Sequence, residues 1–173
     1  KAIGMFKMTK EGHNFLPKEV LKITLAHNKK TTEGLQKQLY ALEKIIQALI
    51  DNNPTFKEQQ QLLITVPGVG KQTSVNLISA TYAFTAFKNW RKFACYCGVA
   101  PFEYTSGSSI KGKTKLSHLA NKKLKALLNM AALSAKKTDT EMKAYFEKKV
   151  SEGKNKMLVL NSIRCKIISR AFA

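Results

Sequence analysis

From Leu21 onward the apolar side chains recur in steps of four and three: Leu21, Leu25, the polar Asn28 and Thr32, then Leu35, Leu39, Leu42, Ile46 and Leu49. That spacing turns one edge of an α-helix toward a neighbour and is the seam of a coiled coil. Asn28 and Thr32 weaken the seam but fix its register. Asn52, Asn53 and Pro54 place three poor helix formers together, which predicts the end of the helix there. The pattern alone leaves two arrangements open: a helix packed on its own domain, or an intermolecular or hairpin coiled coil. Residues 1–17 mix glycine, lysine and scattered apolar side chains up to Pro17 and read as a linker or the end of a preceding domain. The predicted organisation is therefore 1–17 linker, 18–53 coiled-coil helix and 54–173 compact helical domain.

Within 54–173 the 3.6-residue period dominates. "KEQQQLLITV" gives a short helix running into Pro67, and a second covers about 71–82. "NWRKFACYCG" gives a third, with Gly98 as its C-cap and Pro101 just beyond. Residues 103–115, "EYTSGSSIKGKTK", hold almost nothing apolar and predict a loop or a short extended excursion. Leu116, Leu119, Leu124, Leu127, Leu128 and Ala131 then predict a helix over 117–136, followed by helices near 139–150 and 155–172 parted by Gly153. No run alternates convincingly with period two, so the fold class is mainly α: a long coiled-coil helix plus a compact helical domain.

One break stands out. "LLITVPGVGKQTSVNLIS" stops a helix at Pro67-Gly68-Val69-Gly70 and starts another at Lys71. A hydrophobic-x-x-Pro-Gly-hydrophobic-Gly run followed by a small-residue helix is how a helix-hairpin-helix reads in sequence. Gly68 and Gly70 permit the tight turn and a close approach of backbone to ligand. The first amides of the second helix have no intrahelical partner and, with the positive end of the macrodipole, form a phosphate seat. Gly68, Val69, Gly70 and Lys71 are thus candidate nucleic-acid contacts that position a strand without reading its bases.

Charge strengthens that reading. Lys and Arg number 30 against 11 Asp and Glu, a formal +19, an excess that seeks a polyanion. A long uncharged apolar stretch and a signal peptide are both missing, so the expected partner is DNA or RNA, with the basic C-terminal helix leaving only binding at an anionic membrane surface as an alternative. Cys95, Cys97 and Cys165 make no paired framework and His13, His27 and His118 lie far apart, so neither a metal site nor a disulfide scaffold is expected. A reducing, cytoplasmic setting fits. Base-excision glycosylases with this hairpin carry a lysine inside the motif and an aspartate some twenty residues on. Gln72 stands where the lysine is expected and no Asp occurs between Asp51 and Asp139, which disfavours that class.

Residues 104–113, "YTSGSSIKGK", gather hydroxyls beside glycines, and Lys111, Lys113, Lys115, Lys122, Lys123 and Lys125 follow without an acidic residue. A serine that attacks a phosphodiester needs an exposed hydroxyl, room for the backbone and cations for the developing charge. All three are present, while the base is left open between His118 and a neighbouring lysine. The same composition also suits a solvated phosphate-binding loop. Tyr104 is a candidate for stacking on DNA, whereas Trp90, Phe93 and Tyr96, at helical spacing, read as core, and Cys95 and Cys97 as small buried side chains.

"VPGVGKQTSVNLIS", "FKNWRKFACYCGVAPFEYTSGSSIKGK" and "LANKKLKALLNMAA", in this order and spacing, resemble the C-terminal domain of the IS-one-ten (DEDD) family of insertion-sequence transposases, also called the transposase-twenty domain. The resemblance covers about 60–172, and "MLVLNSIRCKIISRAFA" resembles the family's closing helix. The heptad segment resembles the coiled coil joining the family's two domains, which implies a homo-oligomer. The resemblance further implies an N-terminal RuvC-like domain whose DEDD carboxylates hold Mg²⁺, a serine nucleophile in this domain, a covalent serine–DNA intermediate and a structured guide RNA. Ser106, by its place in the Ser-Gly pair, is the nucleophile candidate, with Ser108 and Ser109 as close alternatives. Two departures stand: Lys replaces much of the family's Arg, which gives up bidentate phosphate geometry, and "SHLANKK" lacks the glycine usual before the basic helix. The chain opens at Lys1 and ends at Ala173 within a helical pattern, which leads to the expectation of a fragment, without a cofactor of its own and inactive alone. The rival expectation is a non-catalytic nucleic-acid-binding module.

Overall fold

A computed structural model describes residues 17–100, 102–106, 110–115 and 119–173, the two strands as backbone. The fold is mainly α. Among the described residues seven helices run in chain order as α1 (Lys18–Asp51), α2 (Pro54–Thr65), α3 (Lys71–Thr81), α4 (Trp90–Tyr96), α5 (Lys122–Thr138), α6 (Thr140–Ser151) and α7 (Lys156–Ala171). Between α4 and α5 stand β1 (Phe102–Ser106) and β2 (Ile110–Lys115). Two compact units divide the chain, Lys1–Asn52 and Asn53–Ala173.

Within the first unit α1 is a single 34-residue helix. Thr24, Thr31 and Thr32 return their hydroxyls to the carbonyls four residues back, so these polar side chains are satisfied by the helix itself. Its apolar seam is exposed from Leu35 to Leu49.

In the second unit the helix starts follow from side-chain caps. Asn53, Asn89, Asn121, Asp139 and Asn155 each accept a backbone N–H of the first turn of α2, α4, α5, α6 and α7. Packing of α5 on α7, with α6 against both, builds the centre, and α4 joins from the α7 side. Leu128, Ala132, Ala135, Met142, Ile163, Ile167 and Ile168 are fully buried there, together with Phe93 and Cys97 of the α4 segment. α2 and α3 pair with each other, and α3 reaches α5.

The turn after α3 is strained: Tyr82, Ala83 and Phe84 all take positive φ, 48°, 54° and 64°. Each such residue costs roughly 1–2 kcal/mol. The buried Thr81 hydroxyl holds the turn by accepting the Phe84 N–H at 3.0 Å, and Phe84 sets its ring edge-on to Phe172 at 4.9 Å.

Burial pushes the Cys97 thiol up to about 12, from an ordinary value of 9.0. A folded pKa above the unfolded one means that the neutral buried thiol supports the fold fully below pH 9 and loses that support as pH rises toward 12. Cys97 is therefore expected to resist a thiol reagent at pH 8 and to react only on unfolding. Labelling followed by peptide mass analysis checks this, and rapid native modification of Cys97 would contradict its burial.

Of the loop and the extended excursion left open for 103–115, the second is found: 102–106 and 110–115 pair antiparallel, with Thr105 opposite Lys111 and Ser106 opposite Ile110. One expectation is corrected. The helix expected from 117 starts at Lys122 instead, because the Asn121 side chain caps it and Leu119, read as part of its apolar face, is 95% exposed. Among the aromatic trio of α4, Phe93 is buried and Trp90 packs on the core, while Tyr96 is 42% exposed with its ring against Phe87 and Phe93.

Candidate nucleic-acid interface

The Pro-Gly-Val-Gly turn links α2 to α3 and its residues divide into two sets. Gly68 has φ +83°, and a β-carbon there would sit 2.2 Å from the Ala131 carbonyl oxygen and 2.9 Å from the Ala135 nitrogen. Its bare α-carbon is thus the point at which the turn docks on α5. Val69 is buried in the core and gives its amide to the Val66 carbonyl at 3.0 Å. Gly70, in contrast, meets nothing within 4 Å where its side chain would be. It stands exposed at the N-cap of α3 without a side-chain cap, with Lys71 and Gln72 exposed beside it, and the amides of that first turn have no partner within the helix. The open half of the motif is Gly70 and Lys71; the other half is its foundation.

The hairpin has fixed feet. Gly98, at φ +65°, comes so close to the incoming chain that a β-carbon on it would lie 2.5 Å from that of Ala120. Asn121 gives its backbone N–H to the Tyr96 carbonyl at 2.9 Å and its side-chain amide to the Tyr96 hydroxyl at 3.3 Å. On the outgoing foot the Val99 carbonyl accepts from Asn161 Nδ2 of α7 at 2.8 Å. Ser106 closes β1, paired with Ile110, the first residue of β2; Tyr104 is opposite Gly112, Thr105 opposite Lys111 and Phe102 opposite Lys115, with Lys113 between. Ser108, Ser109 and His118 lie outside the described residues.

Lys122 and Lys123 are exposed in the first turn of α5, where the macrodipole disfavours cations, and no acid stands in that turn. The three ion pairs among the described residues use Lys149, Lys166 and Arg170 instead. Cations placed against the helix field, beside a hairpin rich in lysine, suit an anionic ligand rather than the fold. The turn docks on α5 near Ala131 and the feet meet its start near Asn121, ten residues or about 15 Å apart along the axis.

Among the described residues no three His, Cys, Asp or Glu side chains group to hold a metal ion, and no helix is long and apolar enough to cross a membrane. Sequence reasoning passed over Asn121, Asn161 and Gly98's close approach to Ala120. Of these only Asn121 left a signal, a capping residue just before Lys-Lys-Leu.

Comparison with known proteins places this architecture. Residues 60–147 match the family model described as Transposase IS116/IS110/IS902 family. Over 133 residues the chain is 29% identical to the pilin gene-inverting protein of Moraxella bovis, covering 76% of the chain and 41% of that protein. It is also 29% identical over 140 residues to the insertion element IS110 43.6 kDa protein of Streptomyces coelicolor, covering 81% of the chain and 33% of that relative. With the insertion element IS900 42 kDa protein of Mycobacterium paratuberculosis the identity is 25% over 146 residues, 82% of the chain and 35% of the relative. The chain spans about two fifths or less of the length of these relatives.

Proposed function

We propose, from the premise that the chain belongs to the transposase IS116/IS110/IS902 family, that it is the strand-holding, serine-bearing part of a DNA recombinase. In this reading the complete protein cuts and rejoins DNA through a covalent serine–DNA linkage. Ser106 supplies the nucleophile. Its Oγ forms a new bond to phosphorus as one phosphoester bond of the strand breaks; the hydroxyl proton passes to a neighbouring base and the departing oxygen takes one up. Attack by a strand hydroxyl on the phosphoserine reverses the exchange, so the joined product needs no external energy source.

The observation that carries the proposal is the position of Ser106 at the closed end of a hairpin whose feet are pinned. Glu103 is the one acid on the two strands and no Asp or Glu occurs between Tyr104 and Thr138, so the lysines of β2 and α5 leave that end with a net positive charge. Lys111, Lys113 and Lys115 on β2 and Lys122 and Lys123 on α5 neutralise phosphates, and Gly70 and Lys71 seat a further one at the start of α3. A relative named as a gene-inverting protein and two named for insertion elements support DNA as the partner.

Two copies pair through α1 in this reading, which covers its apolar seam. The Mg²⁺-holding DEDD carboxylates belong to a RuvC-like domain outside this chain, and a structured RNA guides the complete protein to its target; both rest on the family alone. A suicide DNA substrate, which traps the linked state, tests the nucleophile. Ser106→Ala is expected to abolish the protein–DNA adduct in the complete protein while leaving DNA affinity within about twofold, since one neutral hydroxyl contributes little to phosphate binding. An undiminished adduct in Ser106→Ala would reduce this chain to a binding module.

A further inference from the structure

Arg164 lies in the middle of α7 with only 6% of its surface exposed. Its Nη2 donates to Asn129 Oδ1 of α5 at 2.9 Å and its Nη1 to Asn161 Oδ1 at 3.3 Å, while Nε has no partner. No ion pair among the described residues includes it. Burial holds the guanidinium below its ordinary pKa, yet an arginine keeps its proton. The fold thus carries a buried cation without a carboxylate, which an apolar side chain of similar length would avoid.

What an apolar side chain would not do is orient Asn161. A guanidinium only donates, so it draws the Asn161 oxygen toward itself; the Asn161 NH₂ is then turned to the Val99 carbonyl, which only accepts. Val99 stands three residues before β1. Without the guanidinium only the Val99 carbonyl orients the amide, and Asn161 Oδ1 loses the donor that holds its other end.

We propose that Asn129, Arg164 and Asn161 form a positioning relay in which Arg164, itself remote from the reacting atoms, fixes the foot of the hairpin and so aims Ser106 at the phosphodiester. The relay rests on the serine reading given above.

The test uses the complete protein and three variants: the apolar pair Asn129→Leu with Arg164→Met, the single Asn161→Ala, and Arg164→Lys. Melting, DNA affinity with its salt dependence, and the single-turnover rate of adduct formation at saturating DNA are measured for each. The apolar pair is expected to melt at or above the wild-type temperature and to bind DNA with unchanged affinity and salt slope. Its adduct is expected to form at least about tenfold more slowly, the size of loss that a small misplacement of a reacting group causes. Asn161→Ala is expected to show the same slow rate, and it keeps the test open if the apolar pair does not fold. Arg164→Lys, which retains a donor for Asn161, is expected to recover most of the rate. An unchanged rate in both the apolar pair and Asn161→Ala overturns the relay. So does weakened DNA binding with a shallower salt slope, which would make Arg164 a phosphate contact. Wild-type protein that forms no adduct at all removes the serine reading and the relay with it, whereas undiminished adduct in the variants removes the relay alone.

Discussion

Gly68→Ala is expected to cost the second unit about 3 kcal/mol or more of stability, the sum of a left-handed backbone that alanine tolerates poorly and the displacement of a helix. The β-carbon would be driven to 2.2 Å from the Ala131 carbonyl and 2.9 Å from the Ala135 nitrogen. Both contacts are backbone of α5, which has no flexible end to swing aside. Either the α2–α3 turn lifts off α5 or α5 shifts against α7, and both routes open the core around Ala131 and Ala135. Gly70→Ala is the matched control: φ is −98° and nothing lies within 4 Å, so its cost is expected to stay below about 1 kcal/mol. Urea denaturation of the two variants measures the difference. Equal midpoints would show that the turn does not dock on α5 as described.

Breaking the seam of α1 has the second large effect. Leu35, Leu39, Leu42, Ile46 and Leu49 stand between 42% and 64% exposed, a continuous apolar edge on a helix about 50 Å long. A lone helix in water draws most of its stability from packing such a face, so a second copy is the occupant that our reading assigns. Leu39→Asp with Ile46→Asp places four carboxylates in a two-stranded seam. At about 2 kcal/mol or more for each lost core side chain on each strand, self-association should weaken by at least a thousandfold. The expected result is a monomer by light scattering at concentrations where the parent chain is dimeric, together with a fall in helical circular dichroism as α1 loses its support. A monomeric parent chain, or a double variant that stays dimeric, would contradict pairing through this seam.

The parts of the fold legible in the sequence are those fixed by short-range chemistry. The close of α1 at Asn52 to Pro54 and the Gly98 cap depend on neighbours within a turn. The hairpin was legible only as the extended alternative to a loop, because residues 103–115 carry polar types on both parities and give no period-two signal; the pairing of 102–106 with 110–115 is not written in either segment alone. The start of α5 was misplaced for a related reason. Leu116 and Leu119 extend the helical period backward, but the capping Asn121 overrides it.

The site was legible as a set of residue types rather than as an arrangement. Lysines without acids were plain in the chain, whereas the Arg164–Asn129 and Asn161–Val99 bonds join residues 35 and 62 positions apart and leave no local trace. Gly68 illustrates the same limit. Its type announced a tight turn, but only the approach to Ala131 shows that its bare α-carbon is spent on α5 while Gly70 stays open.

The most direct measurement for the whole account is to locate the adduct on the chain. Trypsin cuts after Lys92 and next after Lys111, so one peptide, 93–111, carries Tyr104, Ser106, Ser108 and Ser109 together. Fragmentation of that peptide from the trapped complex distinguishes them. The account predicts the nucleotide on Ser106; a nucleotide on Ser108, Ser109 or Tyr104, or a peptide that stays unmodified while DNA is cleaved, contradicts it.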